Sequence, residues 1–401
     1  MRLYNTLTRT EQPFVPGPDN SVRIYTCGLT VYARGHIGNF RTFVCIDVLR
    51  RTLRHLLGYK IRQVMNFTDV DDRTIIGAQQ AGMDLRAYTG QFIDLFREDA
   101  RALGLEDVEE SPRATDEANL KAMADLIGAL ERNGHTYRSD GSIYFKISTM
   151  PDYGKLAHLD HEGMKSGARV DADTYAKDDA RDFVLWKAAK PGEPTWDVVH
   201  PPGRPGWHLE CSAMALRLLG SPPIDIHAGG IDLIFPHHEN EIAQSEGATG
   251  RPFARFWVHV EHLLVDDEKM SKSVGNTYTI PDVVAKGFRP SAVRYLMLSA
   301  HYRKRLNFTW ASLASAEESL RRLTDFLARA ESISVDGSFA TVGARVQEAR
   351  EAFASAMQDD LNTAAALGAI FELVKALNSA IDGGQLGRGD KIGRASCRER
   401  V

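Results

Sequence analysis

Residues 22–67 constrain this chain more than any other stretch. Residues 22–28 (VRIYTCG) read as a buried strand running into a glycine turn. In 40–57 (FRTFVCIDVLRRTLRHLL), Phe43, Val44, Ile46, Leu49, Leu53, Leu56 and Leu57 recur at mostly three-to-four spacing. Apart from Asp47, that is one apolar helix face, and Gly58 stops it. Residues 61–67 (IRQVMNF) read as the next strand. Strand, glycine turn, helix, strand is a βαβ unit, so the expected class is α/β with a doubly wound parallel sheet.

The remaining chain divides by pattern. Residues 84–135 read as helical, with a break at Ser111-Pro112. Residues 140–206 are rich in Gly, Asp, Lys and Pro, with short strands such as SIYFKI, and fit an inserted module better than a sheet repeat. Strand character returns at 223–227 (PIDIH) and 256–266 (FWVHVEHLLVD). Beyond Pro290 the pattern is helical, with three apolar stripes. They are Leu320, Leu323 and Phe326 or Leu327; Val342, Val346, Ala349, Phe353 and Ala356; and Leu367, Ile370, Phe371, Val374 and Leu377. Three such stripes with short connections suggest a small antiparallel bundle.

Composition bounds the class. At roughly 100–200 residues per domain, 401 residues suggest two to four domains. An apolar share of 43% and a net charge of −4 fit a folded globular chain, not a disordered one. No run is read as the ~18–20 apolar residues of a membrane span. The start, MRLYNTLTRT, lacks a secretory apolar core, and four cysteines make no disulfide scaffold. A cytoplasmic multidomain enzyme with reduced cysteines is expected, with no membrane partner. The last eleven residues, KIGRASCRERV, hold Lys391, Arg394, Arg398 and Arg400 against Glu399 alone. They follow a glycine-rich stretch and read as a basic tail or a foreign sequence.

Two segments point to phosphate chemistry. His36-Ile37-Gly38-Asn39 lies in the turn between the first strand and its helix. A helix N-terminus presents free N–H groups, Gly35 and Gly38 let a ligand approach the backbone, and His and Asn can donate to a phosphoryl oxygen. Alone, His36 could equally cap the helix. Far downstream, Lys269-Met270-Ser271-Lys272-Ser273 follows an apolar strand and the turn Asp266-Asp267. Its two lysines can clamp a polyphosphate as pyrophosphate leaves, or can sit on a solvated loop. A Walker A loop is absent from the sequence.

A third set concerns metal. Pro236 suits a helix start, which puts His237 and Glu241 on one helix face. With Cys27 and Cys211 they make two sulfurs, an imidazole and a carboxylate, a donor set zinc accepts. No C-x-x-C spacing exists, so spacing alone leaves open that the cysteines are small buried hydrophobes. Cys45, on the helix, reads that way, and His238 as a satisfied polar residue.

Together, the H-I-G turn and the KMSKS loop resemble a class I aminoacyl-tRNA synthetase. Further segments narrow this: TCGLTVY at 26–32, NFTDVDD at 66–72, GWHLECSAM at 206–214, GGIDLIFPHHENE at 229–241 and MQDDLNT at 357–363. From residue 1 to about 385 the chain is similar to cysteinyl-tRNA synthetases. Leu29 stands where the family usually has Pro, and Asn39 where His is common. The resemblance implies a Rossmann catalytic core, an inserted connective module and a C-terminal helical bundle. The boundaries read so are 1–110 and 223–290 for the two catalytic halves, 111–222 for the insertion, 291–318 for a stem-contact region and 319–388 for a tRNA-binding bundle, with 389–401 a non-native tail on a C-terminally truncated chain.

It implies cysteine–tRNA ligase activity: L-cysteine and Mg-ATP give cysteinyl-adenylate and pyrophosphate, and tRNA(Cys) then accepts the cysteine. It places one zinc ion on Cys27, Cys211, His237 and Glu241, where a thiolate is preferred over a serine hydroxyl. It places His36, Asn39, Lys269 and Lys272 at the ATP phosphates, and Gly230 and Asp232 near the ribose. Gly28, Thr68, Trp207 and His227 fall around the amino-acid pocket. The family is usually monomeric. With an acidic total, tRNA contact needs local basic surface; Arg303-Lys304-Arg305, Arg289 and Arg294 are the candidates, against a reading as a solvated charge run. Two other readings share some features. A mycothiol-pathway ligase would join cysteine to glucosaminyl-inositol, but shows Pro-Tyr where this chain has Val31-Tyr32 and Leu where it has Ile37. A non-catalytic RNA-binding paralogue would lose zinc ligands or phosphate groups, and none is missing.

Overall fold

The computed structural model describes residues 1–159, 181–270, 275–334 and 337–390. A hairpin of β1 (Arg2–Asn5) and β2 (Thr10–Pro13) precedes β3 (Ser21–Thr26), which buries Val22, Ile24 and Tyr25. The helix expected at 40–57 is α1 (Ile37–Arg51), continued by a wider turn over Thr52–Leu56 and ended by Gly58 at φ 72°. It starts earlier than its apolar pattern because His36 caps it. β4 (Lys60–Met65) completes the βαβ unit.

The 84–135 stretch is two helices with an extended connection. α2 (Asp72–Ala81) and α3 (Leu85–Ala102) are followed by α4 (Glu117–Arg132). Between α3 and α4 the chain runs beside β4, bridging Val64 to Glu110 and Phe67 to Arg113. Four strands then form an antiparallel sheet in sequence order: β5 (Thr136–Ser139), β6 (Ser142–Phe145), β7 (Phe183–Ala188) and β8 (Gly203–Pro205). These strands fall within the stretch 111–222 expected to be an insertion.

α5 (Trp207–Leu219) returns the chain to β9 (Ile224–Gly230), and α6 (Glu239–Thr249) links it to β10 (Ala254–Val260). The sheet order is β10-β9-β3-β4, all parallel. β3 leads outward to β4 and β9 outward to β10, so the order reverses between β3 and β9. A crevice forms beyond the carboxyl ends of strands at such a switch point.

The single strand expected at 256–266 is two. The chain turns at Glu261-His262, where Glu261 N–H bonds Tyr302 O and its own carbonyl accepts from buried Arg41. β11 (Leu263–Val265) then pairs with β12 (Glu268–Lys269) and, in parallel, with β13 (Leu306–Phe308). Between these lie α7 (Ile280–Ala285) and α8 (Pro290–Leu298).

Three helices finish the chain: α9 (Trp310–Glu331), α10 (Ala340–Gln358) and α11 (Thr363–Asp382). Phe326, Val342, Val374, Leu377 and Leu386 form their shared core. Leu320 and Phe353 pack instead on the body, so the stripes do two jobs. α11 corrects the reading that no span stands out: by length and composition it could cross a membrane. It nevertheless carries Glu372 and Lys375 in mid-helix and buries Val374 and Leu377 in the bundle. Gly389 and Asp390 also belong to the fold. Gly389 N–H bonds Gly337 O, and Asp390 accepts from the N–H groups of Phe339 and Gly387. Lys391 to Val401, with Cys397, lie outside the described residues.

Candidate active site

Four donors converge at the switch point. Cys27 follows β3, Cys211 lies on α5, and His237 and Glu241 share the start of α6 through a turn that begins at Pro236. Their ligand atoms all lie within 4.8 Å of one another and all four residues are buried. Cys27 Sγ is 3.6 Å from His237 Nε2 and 3.4 Å from Glu241 Oε1, and His237 Nε2 is 3.0 Å from Glu241 Oε1.

Burial sets the electrostatics. Desolvation, then the neighbouring Cys211 and Glu241, push the Cys27 thiol well above its ordinary value. Burial would also raise Cys211, but hydrogen bonding with Cys27 and the charge of His237 outweigh it and bring it down to about 6. Glu241 is held near 2 against its burial by His227 and His237. His237 is lifted to about 10, against burial, by Glu241 and Cys211. Two thiols and a carboxylate sealed from water repel one another when ionised; a divalent cation removes that penalty. The donors are the types zinc takes, so the residues fit the group.

A second set, Cys27, His227, His238 and Glu241, also lies within 4.8 Å. The first is favoured. His238 Nδ1 is 2.7 Å from His259 Nε2, while its Nε2 is 3.9 Å from Glu241. Burial and surrounding histidines push His238 well below its ordinary value. His237, by contrast, has its other ring nitrogen anchored 2.9 Å from His208 Nδ1, an orienting contact typical of metal-binding histidines.

The other expected pocket residues take distinct places. Trp207 stacks on His237 with centroids 4.2 Å apart, over the donor set. His227, expected in the pocket wall, is fully buried: its Nε2 is 2.9 Å from Glu241 Oε2 and its ring stacks on Trp257. It orients the carboxylate. Thr68 is likewise buried, donating to Glu210 Oε2 at 2.8 Å. Gly28 N–H donates to Asn66 Oδ1 at 3.0 Å, and that same oxygen lies 3.7 Å from Cys211 Sγ. Asp232 is exposed beside Gly230 at the end of β9.

The capping reading of His36 is the one seen here. Its Nδ1 accepts the Asn39 N–H at 3.2 Å, and Asn39 Oδ1 accepts the His36 N–H at 3.0 Å, a reciprocal cap. Because Nδ1 accepts, the neutral ring carries its proton on Nε2 and can donate there. A Cβ on Gly38 would lie 3.2 Å from Met270 Sδ, and Ile37 N–H bonds Tyr278 O. The two phosphate segments thus meet. Lys269 is exposed on β12. Lys272 lies outside the described residues.

His208, read from the sequence as a structural neighbour of Trp207, is the partner of His237, while several other neighbours were not singled out: Glu210, Asn66, Trp257 and His259. The signal for two of them was present. In FWVHV, Trp257 and His259 alternate onto one strand face, and Trp257 pairs in register with His227.

Comparison with known proteins agrees with this geometry. Residues 13–318 match the catalytic domain of class I tRNA synthetases (C), and 352–395 match the DALR domain. Among curated relatives, the cysteine–tRNA ligase of Solibacter usitatus (strain Ellin6076) is 51% identical over 97% of this chain and 83% of its own length. That of Koribacter versatilis (strain Ellin345) is 49% identical over 97% and 78%. The chain belongs to the cysteine–tRNA ligase family. Methionyl-tRNA synthetase of Mycobacterium tuberculosis, solved with methionyl-adenylate, shares the fold: TM-score 0.67 at 18% identity, over 91% of this chain and 84% of that one. In this chain, the segments at 26–32, 206–214 and 229–241 are those that build the buried donor set.

Proposed function

We propose that this chain activates L-cysteine with ATP and transfers it to tRNA(Cys), with the donor set holding one zinc ion. The observation that carries the reading is the convergence of Cys27, Cys211, His237 and Glu241 under Trp207 at the switch point. Zinc bound there supplies a soft Lewis acid that favours a thiolate over a hydroxyl, so serine is rejected without an editing site.

The chain's own groups do the rest. His227 and His208 orient Glu241 and His237. Gly28 and Asn66 form the floor beside Cys211, and Trp207 closes the side of the pocket. The amino acid's carboxylate attacks the α-phosphorus of Mg-ATP, and the P–O bond to pyrophosphate breaks. His36 Nε2–H, the Asn39 side-chain amide and Lys269 and Lys272 stabilise the charge that develops on the phosphates; Gly230 and Asp232 hold the ribose. The terminal ribose hydroxyl of tRNA then attacks the adenylate and AMP leaves. The enzyme works as a monomer in the cytoplasm.

The basic segment supports the tRNA step only in part. Arg303 is committed to Asp360 and Glu11, Arg294 to Asp47, and Arg289 to Glu317. Lys304 is exposed and is the better candidate for phosphate contact; Arg305 is exposed as well but pairs with Glu261 at 3.3 Å. Metal analysis with activity tests the reading. The wild type should hold one equivalent of zinc and charge tRNA, and Cys211→Ala should lose both zinc and cysteine activation. Full activity without zinc would overturn the metal assignment.

A further inference from the structure

The turn between α10 and α11 is built around a buried carboxylate that serves the catalytic body. Asp360 is 2% exposed and has φ 49°, in the left-handed region that Asp and Asn tolerate. Its Oδ1 accepts the Tyr302 hydroxyl at 2.6 Å and the Tyr4 N–H at 2.8 Å; its Oδ2 accepts Arg303 Nε at 2.6 Å. Its own N–H bonds Arg2 O. Arg303 also lies over the Tyr4 ring, 4.3 Å from its centroid, and pairs with Glu11. One side chain of the bundle thus gathers the N-terminal hairpin and the loop 301–304.

The same loop is held from its other side by α1. Arg41, fully buried, donates through Nη2 to His301 O at 3.3 Å and Lys304 O at 2.5 Å, and through Nε to Glu261 O at 2.9 Å. Arg41 lies one turn beyond the His36–Asn39 cap. Bundle, loop 301–304 and helix α1 therefore form one hydrogen-bonded chain, joined by the buried Asp360 carboxylate on one side of the loop and the buried Arg41 guanidinium on the other.

We propose that Asp360 is a positioning residue: through Tyr302, Arg303 and Arg41 it fixes the bundle against α1, and so sets where tRNA bound on the bundle presents its end to the adenylate. This rests on the two-step reading above. Asp360 touches none of the donor set or phosphate residues, so adenylate formation should not need its charge, whereas transfer to tRNA should.

Asp360→Asn keeps the shape and the left-handed backbone but removes the charge facing Arg303. In the full chain, cysteine-dependent ATP–pyrophosphate exchange should stay within about twofold of wild type, while kcat/KM for tRNA charging falls about tenfold. Arg303→Gln should give the same split, and the double variant should be no worse than either single one, since both break one contact. Equal loss of exchange and charging would show a merely structural role. Additive losses would show that Arg303 acts on tRNA independently; unchanged charging would show that Asp360 positions nothing. Absence of exchange in the wild type would instead refute the two-step reading.

Discussion

Gly28 has no room for a side chain. A Cβ there would sit 1.6 Å from the Asn66 carbonyl oxygen, which is backbone and cannot swing away. Its neighbour Cys27 must nonetheless turn inward to reach His237 and Glu241. Gly28→Ala should therefore displace the turn, cost about 2 kcal/mol or more in unfolding free energy and remove cysteine activation. Denaturant unfolding and pyrophosphate exchange check both, and an active, equally stable variant would contradict the packing. At this scale the donors were legible in the sequence once the family segments were recognised, because each sits in a run of distinctive residues. Their supports were not. His208 and Glu210 look like ordinary helix residues until α5 is placed against α6 and residues 66–68. His227 shows the converse: the family resemblance placed it at the pocket, but only the packing shows that it reaches Glu241 from a buried position.

α1 is the element on which most of the fold converges. Its first turn carries the His36–Asn39 cap, its apolar face lies on the sheet, and its far side is tied down by charge. Arg50 is 2% exposed and donates to Asp107 O and to Glu109, which also accepts from Arg54 and the Gln63 N–H. Burial would raise the Glu109 carboxyl, yet the Gln63 N–H and Arg50 outweigh it and depress its pKa. A depressed carboxylate stabilises the fold fully above its unfolded value of about 4.3, and loses that contribution as pH falls through the lower folded value. Glu109→Gln should thus cost about 1 kcal/mol at pH 7, screening included, and the two proteins should converge in stability only as pH falls through the depressed folded value. A gap that persists at low pH would show that shape, not charge, is what Glu109 supplies. Periodicity revealed α1, β3 and β4 because their apolar patterns match their burial. It missed the break at Glu261 because the residues on both sides suit strands. The contacts that turn the chain there come from residues distant in sequence, Arg41, Tyr302 and Leu306.

Over the whole molecule, the proposed function depends on bringing distant segments together: residue 27 beside 211, 237 and 241, and Gly38 beside Met270. The parallel order β10-β9-β3-β4 makes this possible, since it sets the carboxyl ends of β3 and β9 side by side. That arrangement was legible as a class from the βαβ pattern, but of the antiparallel sheet only a change in composition and short strands such as SIYFKI could be read, because its strands are three to six residues long. Metal at the switch point should also stabilise the fold, since the native state presents the four donors together and the unfolded chain does not. Dialysis against a strong chelator should lower the thermal midpoint and abolish cysteine activation, with both restored by zinc. An unchanged midpoint and activity would contradict the site. The most direct test of the account is ATP–pyrophosphate exchange compared between L-cysteine and L-serine. Shape alone separates such near-isosteres by roughly 10²-fold. Selection by a soft metal predicts robust exchange with cysteine and a preference far beyond that factor, reached without editing; comparable exchange with serine, or none with cysteine, would contradict it.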